Sequence, residues 1–382
     1  MRAGKVKKLL IFVLAVAAFM VLCPSPARAQ GGEIYEKSGA PGLFDSLDDE
    51  TKELLRGLGV DGGQVTGGLS GEGIFGMVST LLRDKLSAPL KALAAILGVA
   101  ALCRLADGIS EGEGIAPLVG AAACGLILSA PVLGLLTGCQ RVAGAASAFL
   151  TAAVPVYAGL LVAGGNLATG GGYSFLTMLA GAAVPVLAGG VFLPLLQIYL
   201  GLSVAGAVSG TELGGLAEAL YRLGKWALTV LVTLFAAILS VQTAVNAQVD
   251  AAAGKAAKLA LSAGVPIVGG ALGDAVAAIQ NSVHIVKSGT GAFGILAAMC
   301  IFAPAMAECA LWAGVCMIGK GFGELFRVKA ISALMEAAVS TVKMVLALLG
   351  SICAVCVASA AAVLLALSLI HISEPTRRRG IS

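Results

Sequence analysis

Few residues in this sequence can do chemistry, and their spacing limits what that chemistry is. Cys353 and Cys356 stand two residues apart, the spacing of a thiol–disulfide redox pair, but they lie inside an apolar stretch that reads as a helix. A reactive thiol needs surroundings that stabilise a thiolate, and an apolar helix offers none, so both read as small buried hydrophobes. Cys23, Cys103, Cys124, Cys139, Cys300, Cys309 and Cys316 also sit in or beside apolar stretches. Their spacing suits neither a disulfide framework nor a zinc site. The sequence holds no H-E-x-x-H and no phosphate-binding G-x-x-x-x-G-K-[ST] loop. The reading is a protein that is not an enzyme, with no catalytic, metal or cofactor-binding residues and no cofactor.

Two places remain. Glu308 lies in an apolar segment, 291–318, four positions after Pro304. A carboxylate at membrane depth is costly unless it is protonated, paired or facing water. It serves an ion pathway or an interhelix contact, or else the segment folds as a hairpin and leaves Glu308 near an interface. The second place is 243–290, which interrupts the apolar block without leaving it. Asp250, Lys255 and Lys258 dot an Ala-rich helical piece, Pro266 and Gly269-Gly270 force a turn, and Asp274 opens another helix. The stretch is too apolar for a soluble loop. A re-entrant or interfacial helix pair is expected, buried in protein or lining a cavity.

Composition says what must position these residues. Of 382 residues, 58% are hydrophobic and 12% charged, about half the usual 25% charged fraction of a soluble domain. Mean hydropathy is +0.97. Glycine is abundant at 52 residues, and small residues let membrane helices approach closely. The expected fold is all-α: a polytopic membrane protein of six to eight transmembrane helices with re-entrant or interfacial segments. Spans are expected near 88–106, 116–137, 142–164, 174–208, 226–245, 291–318 and 342–366, since about twenty apolar residues cross a bilayer.

The ends of the chain explain its apparent basicity. Residues 1–29 read as a signal peptide: Arg2, Lys5, Lys7 and Lys8, then an apolar run, then Ala27-Arg28-Ala29. Residues 30–87 form an exported linker region with two amphipathic pieces. In the first, Ser46-x-x-Asp49 offers a capping box and Leu43, Leu47, Leu54, Leu55 and Leu58 recur at helical spacing. In the second, Val78, Leu81, Leu82 and Leu86 share a face. The membrane domain runs over 88–366. Residues 367–382 begin with Leu367–Arg377, which resembles a translated sequencing adapter and is expected to be an assembly artefact. The formal charge of +4 falls to about −3 once the leader's five cations and the tail's net +2 are set aside. Nucleic-acid binding has no electrostatic support.

Orientation is ambiguous at this stage. The 319–341 loop carries Lys320, Arg327 and Lys329 and should be cytoplasmic. Alternation from an exported residue 30 puts it outside, so an extra crossing within 174–208 is expected. Ala152–Gly159 and Ala182–Gly189 agree at seven of eight positions, each with a proline that should break its helix. Such breaks can build a transporter's midplane site.

The 242–291 stretch resembles the stage III sporulation protein AE family. The resemblance rests on Lys255-Ala-Ala-Lys-Leu-Ala and on Val265-Pro-Ile-Val-Gly-Gly-Ala-Leu-Gly-Asp-Ala-Val, and the order of leader, exported region and multispan block agrees. It implies a subunit of a channel or secretion complex in the mother-cell membrane around the forespore, with other stage III sporulation membrane proteins as partners. It implies no enzymatic activity. Lys255, Lys258, Pro266, Gly269, Gly270 and Asp274, with Glu308, are the expected functional or assembly residues. The lipid bilayer is a further partner and homo-oligomerisation a further expectation. The rival reading is a secondary transporter or permease for a small solute.

Overall fold

The computed structural model describes residues 40–61, 64–65, 71–109, 116–163, 165–209, 214–264 and 269–371. Two short helices come first, α1 (Ala40–Asp45) and α2 (Asp49–Gly57). A two-residue antiparallel ladder follows, pairing Val60 with Val65 and Asp61 with Gln64. Every other described element is helical: α3 (Gly71–Lys85), α4 (Ser87–Ile109), α5 (Ala116–Ala163), α6 (Leu167–Leu187), α7 (Leu193–Ser209), α8 (Gly214–Gly264), α9 (Gly269–Leu325) and α10 (Lys329–His371). Six stretches are long and apolar enough to cross a bilayer: Ser87–Ala106, Ala116–Ala163, Leu167–Ala207, Gly214–Gln242, Gly289–Leu325 and Lys329–Val363. The all-α membrane architecture expected from composition is the one adopted.

The helices are longer and less broken than the hydropathy suggests. The expected spans 116–137 and 142–164 are one helix, α5, of 48 residues, roughly 72 Å of rise. Gln140 and Arg141 lower the hydropathy between them, but both are good helix formers, so nothing ends the helix there. The expected extra crossing in 174–208 is also absent. The chain passes from α6 into α7 through a π-helical turn, Ala188–Phe192, in which the Leu193 N–H donates to the Ala188 carbonyl. This wide turn lies between Pro185 and Pro194, and it absorbs the misfit of two prolines without folding the segment back.

The prolines do not break their helices, contrary to expectation. Pro131 and Pro155 lie inside α5, Pro185 inside α6 and Pro304 inside α9. Each removes the N–H that the carbonyl four residues earlier would have used. For Pro185 that carbonyl belongs to Gly181, and the Ser147 hydroxyl of α5 donates to it at 2.6 Å. The neighbouring helix supplies the missing donor. It can come that close because a Cβ on Gly181 would lie 3.2 Å from Thr151 Oγ1.

Tight turns join the long rods. Between α5 and α6, Gly165 takes φ 85°, its N–H donates to Val162 O and that of Asn166 to Leu161 O, the Schellman pattern that glycine favours. Between α9 and α10 the same pattern puts Arg327 at φ 59°, with Val328 N–H donating to Gly323 O. A Cβ on Gly323 would lie 3.0 Å from the Ser332 nitrogen, so α10 starts pressed against the end of α9. Further up, Gly319 faces Met335 and Gly294 faces Ala360, which aligns the two helices antiparallel along their length.

Along the bundle, α4, α6–α7 and α9 therefore run one way and α5, α8 and α10 the other. The end of α4 and the α9–α10 turn share a face. If the N-terminal region is exported, Arg327 and Lys329 fall on the cytoplasmic side, as their charge requires.

Two substitutions test this packing. Ser147→Ala leaves the Gly181 carbonyl without its donor and lowers stability by about 1 kcal/mol. Arg327→Gly relieves a left-handed arginine and raises stability by about 1 kcal/mol. Thermal unfolding of the detergent-solubilised protein reads both.

Candidate functional site

Glu308 is held by an ion pair. α9 runs unbroken past Pro304, so the hairpin reading of this segment is wrong and the interhelix one is right. Lys85, the last residue of α3, places its Nζ 2.9 Å from Glu308 Oε2, with the two side chains 34% and 36% accessible. The last turn of α3 is basic, carrying Arg83 and Lys85, which suits the negative end of a helix dipole. The pair ties the N-terminal region to a membrane helix. A half-exposed pair contributes modestly in water and more where the surroundings are less polar.

The rest of the N-terminal region docks by its apolar face. Leu43, Leu47, Leu55 and Leu58 are buried and Leu54 partly so, as their spacing predicts, and the Phe44 ring lies 6.2 Å from that of Phe293 in α9. The cap differs from expectation. Asp48, not Ser46, precedes α2 and accepts from the Thr51 N–H at 3.3 Å and the Thr51 hydroxyl at 2.6 Å. A carboxylate at a helix N-terminus also gains from the dipole. Ser46 instead donates to the Leu43 carbonyl. The face expected on α3 is only partly buried: Leu81 and Leu82 are half-buried, while Val78 and Leu86 stay exposed.

A second ionic cluster lies near the α9–α10 turn. Lys320 sits 2.6 Å from Glu336 of α10 and 3.9 Å from Glu324 of its own helix. Sequence reasoning missed both Lys85 and Glu336 as partners. Lys85 and Glu308 are separated by 223 positions, and no local pattern links them. The one usable signal was a lone carboxylate in an apolar segment, which demands a cation somewhere in the chain.

The signature stretch is not a separate re-entrant pair. Lys255 and Lys258 belong to the end of α8, while Gly269 and Gly270 open α9 and Asp274 follows within it. Pro266 lies outside the described residues, as do the side chains of Lys255, Lys258 and Asp274. Asp274 and Glu308 share one helix but stand roughly 50 Å apart by helical rise, so they do not form one site. Cys353 and Cys356 are buried free thiols in α10. Among the described residues no group of three or more His, Cys, Asp or Glu could hold a metal ion.

Six long apolar helices, packed through small residues and tied to an N-terminal amphipathic region, define a multi-pass α-helical membrane protein. The family model for stage III sporulation protein AE matches residues 66–368, and the chain belongs to that family. No curated protein and no solved structure matches it. Its family is one of sporulation membrane proteins and not a known enzyme family.

A double-mutant cycle tests the Lys85–Glu308 contact. Lys85→Gln and Glu308→Gln should each destabilise, with a coupling energy of about 0.5–1 kcal/mol between them. The charge-swapped pair, Lys85→Glu with Glu308→Lys, should recover most of the loss in thermal unfolding.

Proposed function

We propose that the protein is a membrane subunit of a channel or secretion complex between mother cell and forespore, needed for endospore development. Membership of the stage III sporulation protein AE family over residues 66–368 carries this reading. The geometry supports it: long helices held by close contacts and ion pairs suit an assembly scaffold. The leader at 1–29 would export the N-terminal region. Other stage III sporulation membrane proteins are the proposed partners, and the 243–290 signature is the proposed assembly surface through Lys255, Lys258, Pro266, Gly269, Gly270 and Asp274.

The transporter reading keeps one observation in its favour, the π-helical turn at Ala188–Phe192. Such turns recur at functional sites. Substrate-dependent flux by the purified protein alone would favour it.

Deleting the gene in its spore-forming host should arrest development after engulfment, and the intact gene should restore spores. Affinity purification of the tagged chain from sporulating cells should bring down other stage III membrane proteins. Normal sporulation without the gene would refute the proposal.

A further inference from the structure

Charge is distributed by height along the rods. Close contacts set a common register. A Cβ on Gly319 would lie 3.1 Å from Met335 and one on Gly294 3.0 Å from Ala360, which aligns α9 with α10, and one on Gly224 would lie 3.8 Å from Met344, which adds α8. A Cβ on Gly189 would lie 3.3 Å from Gln140, which aligns α5 with α6 and the π turn, and the Tyr157 hydroxyl donates to the Thr290 carbonyl at 3.0 Å, joining α5 to α9. In this register, residues 143–163, 167–187, 226–241, 289–307 and 345–363 lie side by side, and none of them is Asp, Glu, Lys or Arg. Segments of about nineteen residues rise roughly 28 Å, the thickness of a bilayer's hydrocarbon core.

Charge returns at once on one edge of this tier. Lys85 pairs with Glu308 immediately past Ala307. Lys225 and Lys343 flank the Gly224–Met344 contact, and Arg141 follows the Gln140 that meets Gly189. Arg141, Lys225 and Lys343 are exposed. Beside Lys225 stands Trp226, 64% exposed. Cations with an exposed tryptophan are what a headgroup interface selects. Beyond this edge the rods carry Lys91, Glu218, Arg222, Lys320 and Glu336, and the Arg222 side chain is 77% exposed. Hydrocarbon there would have to hold Lys91 as well as the exposed Arg222–Glu218 pair and the Lys320–Glu336 pair, a cost the charge-free tier does not carry. At the opposite rim sits Phe293, where α1 docks through Phe44. The exposed Val78 of α3 lies within an uncharged run, 73–82, that borders the tier.

We infer that the hydrocarbon core occupies this charge-free tier alone, and that Arg141, Lys225 and Lys343 form a belt that binds anionic lipid headgroups. The far ends of the rods, with all of α4, then stand outside the hydrocarbon. Ile96 of α4 lies 3.6 Å from the Cβ position of Gly319, well past the belt. The inference rests on membrane insertion alone, and failure of the channel proposal would leave it intact.

Depth-dependent quenching tests it in the full chain, in phosphatidylcholine–phosphatidylglycerol vesicles. In a Trp226→Phe, Trp312→Phe background, Leu179→Trp probes the tier and Leu126→Trp the region past the belt; both leucines are exposed. Lipids brominated deep in the acyl chain should quench Leu179→Trp and leave Leu126→Trp bright. Quenching of the second, of both or of neither would overturn the placement. Circular dichroism checks each fold first, with Phe175→Trp and Leu102→Trp as replacement probes. For the belt, Trp226 itself reports in Trp312→Phe protein. Its preference for quenching by brominated phosphatidylglycerol over brominated phosphatidylcholine should fall about fivefold for each of Arg141, Lys225 and Lys343 changed to Gln. An unchanged preference, or its abolition by inorganic phosphate, would refute headgroup binding.

Discussion

A peptide group surrounded by apolar side chains and lipid has no water to turn to, so every carbonyl and N–H must find its partner inside the protein. That constraint shapes this chain more than any single side chain does. It explains why the prolines leave the helices whole: ending a helix in such surroundings would orphan several groups, while losing one bond orphans one. The Gly181 carbonyl, freed by Pro185, is met by Ser147 of the next helix. The misfit between Pro185 and Pro194 is taken up by a π-helical turn that keeps bonding, with Leu193 N–H reaching Ala188 O.

Small residues follow from the same constraint. A hydroxyl can serve a neighbour's backbone only if the two helices nearly touch. Gly181 permits this at the α5–α6 contact. Gly294 permits it where the Tyr157 ring of α5 crosses to bond the Thr290 carbonyl of α9. Tyr157 in turn meets Tyr173 of α6 edge-on, with centroids 5.8 Å apart, so one buried polar contact joins three helices. At Gly181, Gly294, Gly319 and Gly323 glycine thus serves interhelix distance.

Much of this was legible in the sequence and some could not have been. Composition alone reveals the membrane class, and the leucine spacing at 43–58 marks the face that α1 and α2 bury. The break expected at 137–142 was a misreading of polarity as a boundary: Gln140 and Arg141 are polar but helical. The proline breaks were misread because the compensating donor comes from another helix. The pairing of Glu308 with Lys85 was invisible because it depends on how α3 lies on α9. The signature at 243–290 was legible as a motif, and its helices prove to be the ends of α8 and α9, not a separate unit.

Glu308 thereby changes meaning. A carboxylate in mid-span suggests an ion pathway, whereas one paired to Lys85 suggests a fixed joint between the N-terminal region and the bundle. Continuity of the rods underlies that assignment, because levels along one helix are compared with levels along the next. Amide hydrogen exchange of the reconstituted protein across α5 tests it most directly. The account predicts that the amides of Gly138 to Arg141 are as protected as those of the turns on either side. Fast exchange confined to those residues would mean two separate spans joined by a loop, and would contradict it.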